Sequence, residues 1–459
     1  MNDIVKKLST IIGSERISTD SRYLDEIAWD ALSEARMHPL HRPALAAPVC
    51  AVMPQATEEV RQIVLFANAE KIPIVPYGGG SGLMGGALSV RSGIVMDLRA
   101  MNQVLEIDSD ARSARVQAGM VLEALDRRLN DHGFILGHDP WTVPVATVGG
   151  AIATHSVGYR AGIYGSMGDQ VLGLEAVLPT GEILCTRSVQ KSSAGINLNA
   201  LLIGGEGCFG IITEATIRIF PAPEARRLVG LTFDTFERGY TAIQEMFRQR
   251  LSPAVLDFGD DEESVGGAVL YTGFEGNAEA IDLDEKRALA ICERRGGKRL
   301  AADNAEVFWR DRHEIARRFA LNRRERRERG KDGIYRDWVH VALPASKVLA
   351  FRRASLELIE PYGVHLQESG LWVQPELFSM RLGIEDDGSG NAQLLLQRSV
   401  EELLKLAQKM GGSMEYTHGV GVKLARFMAA EHGHGLTVMR QIKRCLDPNN
   451  ILNPGKMDL

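Results

Sequence analysis

Residues 76–87 read PYGGGSGLMGGA, and six of these twelve are glycine. The stretch follows Ile72-Pro73-Ile74-Val75, an apolar run with the composition of a buried strand. Glycine lets a ligand touch the main chain, and successive N–H groups turned inward form an anion-binding concavity. The loop is therefore read as a cradle for a phosphate-bearing cofactor. It is not a P-loop, because no Gly-Lys-Ser/Thr ends it. It is not a Rossmann fingerprint either: Leu83 stands where the third glycine belongs, and residues 88–90 and 93–98 read as strand where a helix is needed. A mobile linker is the bland alternative, but strand-like runs flank the loop closely and polar filler is absent.

Outward from the loop, 459 residues with 45% hydrophobic content are ample for sizeable cores. A net charge of −6 gives no pull toward nucleic acid or anionic membrane, which leaves small molecules or protein as partners. The five cysteines (Cys50, Cys185, Cys208, Cys292, Cys445) are scattered, odd in number and without a CxxC pair, so neither a disulfide framework nor a zinc cluster is indicated. The N-terminus mixes charge into its apolar pattern as an amphipathic helix does, and no uncharged apolar run reaches the length of a membrane span. A cytoplasmic protein is expected.

Between 48 and 221, short apolar runs alternate with glycine turns and amphipathic helices, the sign of an α/β or α+β core. One helix opens at 56–60 with Thr57 as its N-cap, another runs 122–132, and 169–178 with 182–186 form a hairpin around Pro179-Thr180-Gly181. After Pro221-Ala222-Pro223 the texture changes. Helical periodicities at 240–249, 279–295 and 305–329, with strands at 228–233, 268–272 and 339–343, suggest an antiparallel sheet with helices on one face. From 410 the chain is glycine-rich again.

Three more stretches join the opening loop: PWTVPVATVGGAIATHSVGYRAGIYGSMGDQVLGLEAVLPTGEIL (140–184), GGEGCFGIITEATIRIFP (204–221), and HGVGVK (418–423) followed by IKRCLDPNNILNPGK (442–456). Together they resemble the FAD-linked oxidoreductases of the vanillyl-alcohol oxidase superfamily, in the branch of the D-lactate, glycolate and D-2-hydroxyglutarate dehydrogenases and alkylglycerone-phosphate synthase. The resemblance spans nearly the whole chain. It implies an α+β fold: a two-subdomain FAD-binding domain over 1–221, a cap domain over 222–409 with an antiparallel sheet flanked by helices, and a segment over 410–459 that returns to the FAD domain. It assigns Gly78, Gly79, Gly80, Ser81, Gly82 and Leu83 to the diphosphate, with Pro76 before them. Pro140, Val143, Thr147, Gly149, Gly150, Ala153, Thr154 and Val157 make the second FAD stretch; Gly207, Gly210, Ile211 and Ile212 the third; and Asn453 joins from the C-terminal motif. The loop offers several N–H donors and no cation, which suits a diphosphate held by backbone. Some relatives attach flavin through a histidine near this loop. Here none lies between His41 and His132, and His138 reads as a turn residue, so non-covalent FAD is expected.

Hydride transfer from a C–H to the flavin needs an oriented substrate, a base for the hydroxyl proton and positive charge for an anionic group. The resemblance brings His418 to the flavin ring, and a histidine suits the base. It brings Arg312 to a substrate carboxylate and Arg336 to the other side of the pocket. The 2-hydroxy-acid dehydrogenases of this branch carry a His-x-Gly-Asp-Gly-Asn-x-His stretch and a Glu-His-Gly whose glutamate completes a divalent metal site. Here the first reads GVHLQESGLWVQPELFSMRL and the glutamate position is Thr417, so no metal is expected. His432 and His434 lack a carboxylate at helical spacing, and Glu415, two residues early, is not taken as a substitute. Trp338, Tyr335, Trp372 and Phe378 are candidates for an aromatic pocket or for core. The run Arg323–Lys331 has interleaved glutamates and reads as a solvated helix end, with a lid or a docking patch as alternatives.

The expectation is an FAD-dependent oxidoreductase acting on a small hydroxy substrate, a 2-hydroxy acid first. The alternatives are an aromatic-alcohol oxidase, an alkylglycerone-phosphate synthase-like enzyme, or a non-catalytic subunit of a glycolate oxidase-type complex. The electron acceptor stays open among a quinone, a protein and oxygen, and a homodimer is compatible with the composition.

Overall fold

The computed structural model describes residues 2–261, 267–321 and 333–459. The basic run 323–331 lies outside them. Three sheets carry the architecture. The first has four strands in the order Ile17–Ser18, Cys50–Val52, Ile94–Asp97, Ile74–Tyr77. Its last three strands are mutually parallel, with Ile94 beside both Cys50 and Ile74. Parallel neighbours need crossovers, and the helix Thr57–Glu70 supplies one, burying Val60, Ile63, Val64 and Ala67 on the sheet. Its N-cap is Ala56, without a side-chain bond. Thr57, expected at the cap, sits inside the helix and gives its hydroxyl to Glu175 at 2.6 Å.

The second sheet is antiparallel: Val104–Asp108, Ser113–Gln117, Ile211–Arg218, Val171–Val177, Ile183–Cys185. Helices Leu122–Asn130 and Val148–Ala153 pack their apolar faces into its core.

The third sheet, the cap, is antiparallel with seven strands: Lys298–Arg299, Ala225–Phe233, Ala268–Gly276, Val255–Asp261, His365–Trp372, Leu377–Glu385, Ile334–Ala342. Helices Phe236–Arg248, Ala278–Arg294, Val348–Ile359 and Ala392–Lys409 share one core cluster with its strands. Alternation along Ile334–Ala342 sends Val339 and Val341 into that core, and Trp338 and His340 to the opposite face. The helical pattern at 305–329 resolves into Ala302–Asp311 and Glu314–Leu321 within the described residues.

The C-terminal segment does not end on the cap. Leu452 bridges Ile74 in parallel, and Asn453 donates its N–H to the Ile74 carbonyl at 2.8 Å. The last residues thus add to the edge of the first sheet, at the start of the glycine loop.

Candidate active site

A cavity opens among these parts. Its walls come from the glycine loop, residues 140–157, residues 206–212, the cap residue Trp372, the pair Thr417–His418 and Asn453. Of the twenty cofactor residues assigned from sequence, all but Leu83 and Val143 line it. Leu83 turns away, with its carbonyl accepting from Arg36 at 3.4 Å. Val143 is buried in the core under helix Leu122–Asn130.

Close packing explains the glycines. A Cβ on Gly79 would run into the Val145 carbonyl, and one on Gly78 into the Thr147 hydroxyl. Among the described residues no Lys or Arg lines the cavity, which leaves main-chain N–H groups as the donors for an anion there. Two buried carboxyls do line it. Burial pushes Glu206 up to about 7 and Asp30 up to about 6. Glu206 accepts the N–H groups of Val420 at 2.5 Å and Gly421 at 2.9 Å, which ties the His418 loop to the cofactor side of the cavity. Asn453 donates to the carbonyls of Gly86 at 2.9 Å and Glu206 at 2.6 Å, locking two walls together.

At the cap end, His418 projects from a loop whose turn is organised by Glu415. One carboxylate oxygen of Glu415 accepts the N–H groups of Tyr416, Thr417 and His418 at 3.1, 2.9 and 3.0 Å. The same oxygen stands 3.4 Å from His418 Nδ1, a charge contact without hydrogen-bond alignment. Burial opposes charge on Glu415, but the His418 and His340 rings and the loop N–H groups outweigh it and hold the carboxyl down at about 2. The ring of His340 meets that of His418 edge-on, centroids 4.4 Å apart, and Tyr416 bonds Ser379 at 2.7 Å beside them. One ligand atom each from His340, Glu415 and His418 all lie within 4.8 Å of one another.

Arg312, expected to meet a substrate carboxylate, is engaged inside the protein. Its Nε donates to Asp139 at 3.0 Å, Nη2 to the other oxygen at 3.4 Å, and the guanidinium lies 3.6 Å over the Trp309 ring. His313 stands 3.0 Å from the same Asp139, and burial of that carboxyl is more than offset by His313, Arg312 and Arg160, which hold it well below the usual range. Arg312 does not line the cavity, and Arg336 on the cap strand does not either. Of the four aromatic candidates, Trp372 lines the cavity, Phe378 is in the cap core, Tyr335 packs on it, and Trp338 lies under Arg36 at 5.2 Å.

Residues 48–187 match the family described as "FAD binding domain", and residues 222–457 match "FAD linked oxidases, C-terminal domain". The chain belongs to the FAD-linked oxidase family. The D-lactate dehydrogenase of Archaeoglobus fulgidus is 33% identical to it over 91% of this chain and 93% of that one. The glycolate oxidase subunit GlcD of Bacillus subtilis is 29% identical over 89% of each. A solved structure of alkyldihydroxyacetonephosphate synthase superposes with TM-score 0.80 at 21% identity, covering 99% of this chain and 86% of that one.

An FAD-linked oxidase needs a long cavity with an anion cradle and an open reactive end, and the residues present fit FAD on all three counts. The cavity has one histidine, His418, on its walls, and it sits at the cap end. His138 is buried off the cavity, bonded to Ser156 at 2.9 Å, with its ring kept neutral by burial. Among the described residues, the glycine-loop wall of the cavity carries no histidine. Sequence reading missed Asp30, which belongs to no motif, and His340, whose nearness to His418 depends on strand order. Glu206 had a signal, since it stands inside the GGEG stretch.

Proposed function

We propose that this FAD-linked oxidoreductase oxidises the CH–OH group of a small hydroxy substrate, a 2-hydroxy acid in the first instance, with His418 meeting the hydroxyl. The single observation that carries the reading is the meeting of Trp372, Thr417 and His418 at the end of the FAD cavity. Bound in that cavity, FAD supplies the hydride acceptor. Trp372 gives the substrate carbon an apolar wall, while His418, held at its backbone by Glu415, offers a ring nitrogen to the hydroxyl. Similarity to a D-lactate dehydrogenase and a glycolate oxidase subunit supports the 2-hydroxy acid.

A second reading has an observation of its own. With no Lys or Arg on the cavity wall among the described residues and Arg312 paired to Asp139, an uncharged aromatic alcohol meets less opposition than a carboxylate does. Anaerobic mixing of the yellow protein with D-lactate, glycolate and benzylic alcohols distinguishes them. Bleaching by the hydroxy acids supports the first reading, bleaching by the aromatic alcohols alone supports the second, and bleaching by neither removes both.

A further inference from the structure

We propose that His340, Glu415 and His418 bind a divalent cation of the zinc type at the cap end of the cavity. The inference rests on the reading above only in supposing that a hydroxyl comes to this end. The ligand chemistry is two imidazoles and a carboxylate, a set that three-ligand zinc sites use while leaving a fourth position open. Nδ1 of His340 and Nδ1 of His418 are both buried and without a hydrogen-bond partner. Two such nitrogens beside a carboxylate are the donor set that a shared cation would satisfy.

The distances agree. On a tetrahedral zinc with ligands at about 2.0–2.1 Å, neighbouring donor atoms stand roughly 3.3 Å apart. His418 Nδ1 and the Glu415 oxygen are 3.4 Å apart and poorly aligned for a hydrogen bond, the geometry of a coordination edge. One ring nitrogen of His340 lies within 4.8 Å of the ligand atoms of the other two. The carboxylate is already oriented by three loop N–H groups, so ordering it adds little cost. Two cations that act on His340 are engaged elsewhere: Lys423 donates to both oxygens of Asp337 at 2.7 Å, and Arg36 binds the same carboxylate at 2.7 Å.

This set differs from the one the 2-hydroxy-acid dehydrogenases carry. Thr417 stands at their glutamate position, and His340 comes from the strand Ile334–Ala342, outside the region that replaces their histidine-rich stretch. With an ion present, His418 acts as a ligand and the open position faces the cavity that His418 lines, where a hydroxyl oxygen would be acidified by the ion.

The test uses FAD-loaded protein stripped with a chelator, dialysed, and equilibrated with Zn²⁺ and Mn²⁺, with bound metal counted per flavin. One ion per chain is expected, with affinity lowered about 100-fold or more in His340→Ala and Glu415→Gln and unchanged in His432→Ala. His340→Gln, close in shape, keeps the test valid if the alanine variant fails to retain flavin. Stripped protein that takes up no ion overturns the site, as does uptake that His340→Ala and His340→Gln leave unchanged. Anaerobic bleaching is scored separately: an ion bound in protein that no hydroxy compound bleaches sinks the substrate reading and leaves the site standing.

Discussion

A methyl group on Gly79 would overlap the carbonyl oxygen of Val145, which belongs to the neighbouring wall of the cavity. Gly79→Ala therefore has to push that wall outward, and the expected result is protein that purifies with its flavin content reduced at least 10-fold, read from the ratio of visible to ultraviolet absorbance. Full flavin occupancy in this variant would mean that the wall yields easily. His418 has a different signature. His418→Asn removes the group proposed to meet the hydroxyl, so flavin reduction should slow by about 10²-fold or more while FAD stays bound, since positioned proton-handling groups contribute about 10²–10⁴-fold. Stopped-flow bleaching without oxygen measures it. An unchanged rate would make the histidine structural.

At the scale of elements, the helix Ala302–Asp311 is tied to the FAD-binding part of the chain by Arg312 on Asp139. Removing one partner of a buried pair leaves the other charge stranded, which typically costs about 3–5 kcal/mol. Arg312→Met should show a loss at the low end of that range in urea unfolding, because His313 and Arg160 still face Asp139. Unchanged stability together with lost preference for carboxylate substrates would return Arg312 to the substrate. The same pair shows what a sequence can and cannot reveal. Motif residues such as Gly78–Gly82 and Thr147–Gly150 were legible because each wall is a run of consecutive residues whose own packing demands its glycines. Arg312 and His340 were not: Arg312 meets Asp139 from the end of a helix 173 residues away, and His340 faces Ser379 on a neighbouring strand, where periodicity tells which face a residue takes without telling which strand lies beside it. Val143 failed for a related reason, since it lies within a cavity motif yet its side chain turns into the core under helix Leu122–Asn130.

For the molecule as a whole, acid stability should carry the mark of its buried histidines. Burial pushes His138 down to about 3, so the folded protein leaves it neutral while the unfolded chain protonates it below about 6.5. The stability from keeping it neutral is fully present above about 6.5 and is lost as pH falls toward 3, at up to about 1.4 kcal/mol per pH unit. Relative to His138→Gln, the parent should therefore lose stability steadily from pH 6.5 downward in denaturant titrations. Parallel pH profiles would show that the ring is not buried as described. No helix among the described residues is long and apolar enough to cross a membrane. Deleting residues 450–459 would remove Asn453 and the bridge to Ile74 together with Lys456, which is buried and donates to the Leu88 carbonyl at 2.7 Å. The truncated protein is expected to hold no flavin after gel filtration.

That bridge also sets an order of events during synthesis. The glycine loop emerges from the ribosome early, but the residue that locks its wall to the GGEG wall, Asn453, is among the last seven of the chain. Flavin arriving at a nascent chain would find two walls with no clasp between them. Stable loading therefore waits until Asn453, 367 residues after Gly86, has been synthesised and has closed on both walls.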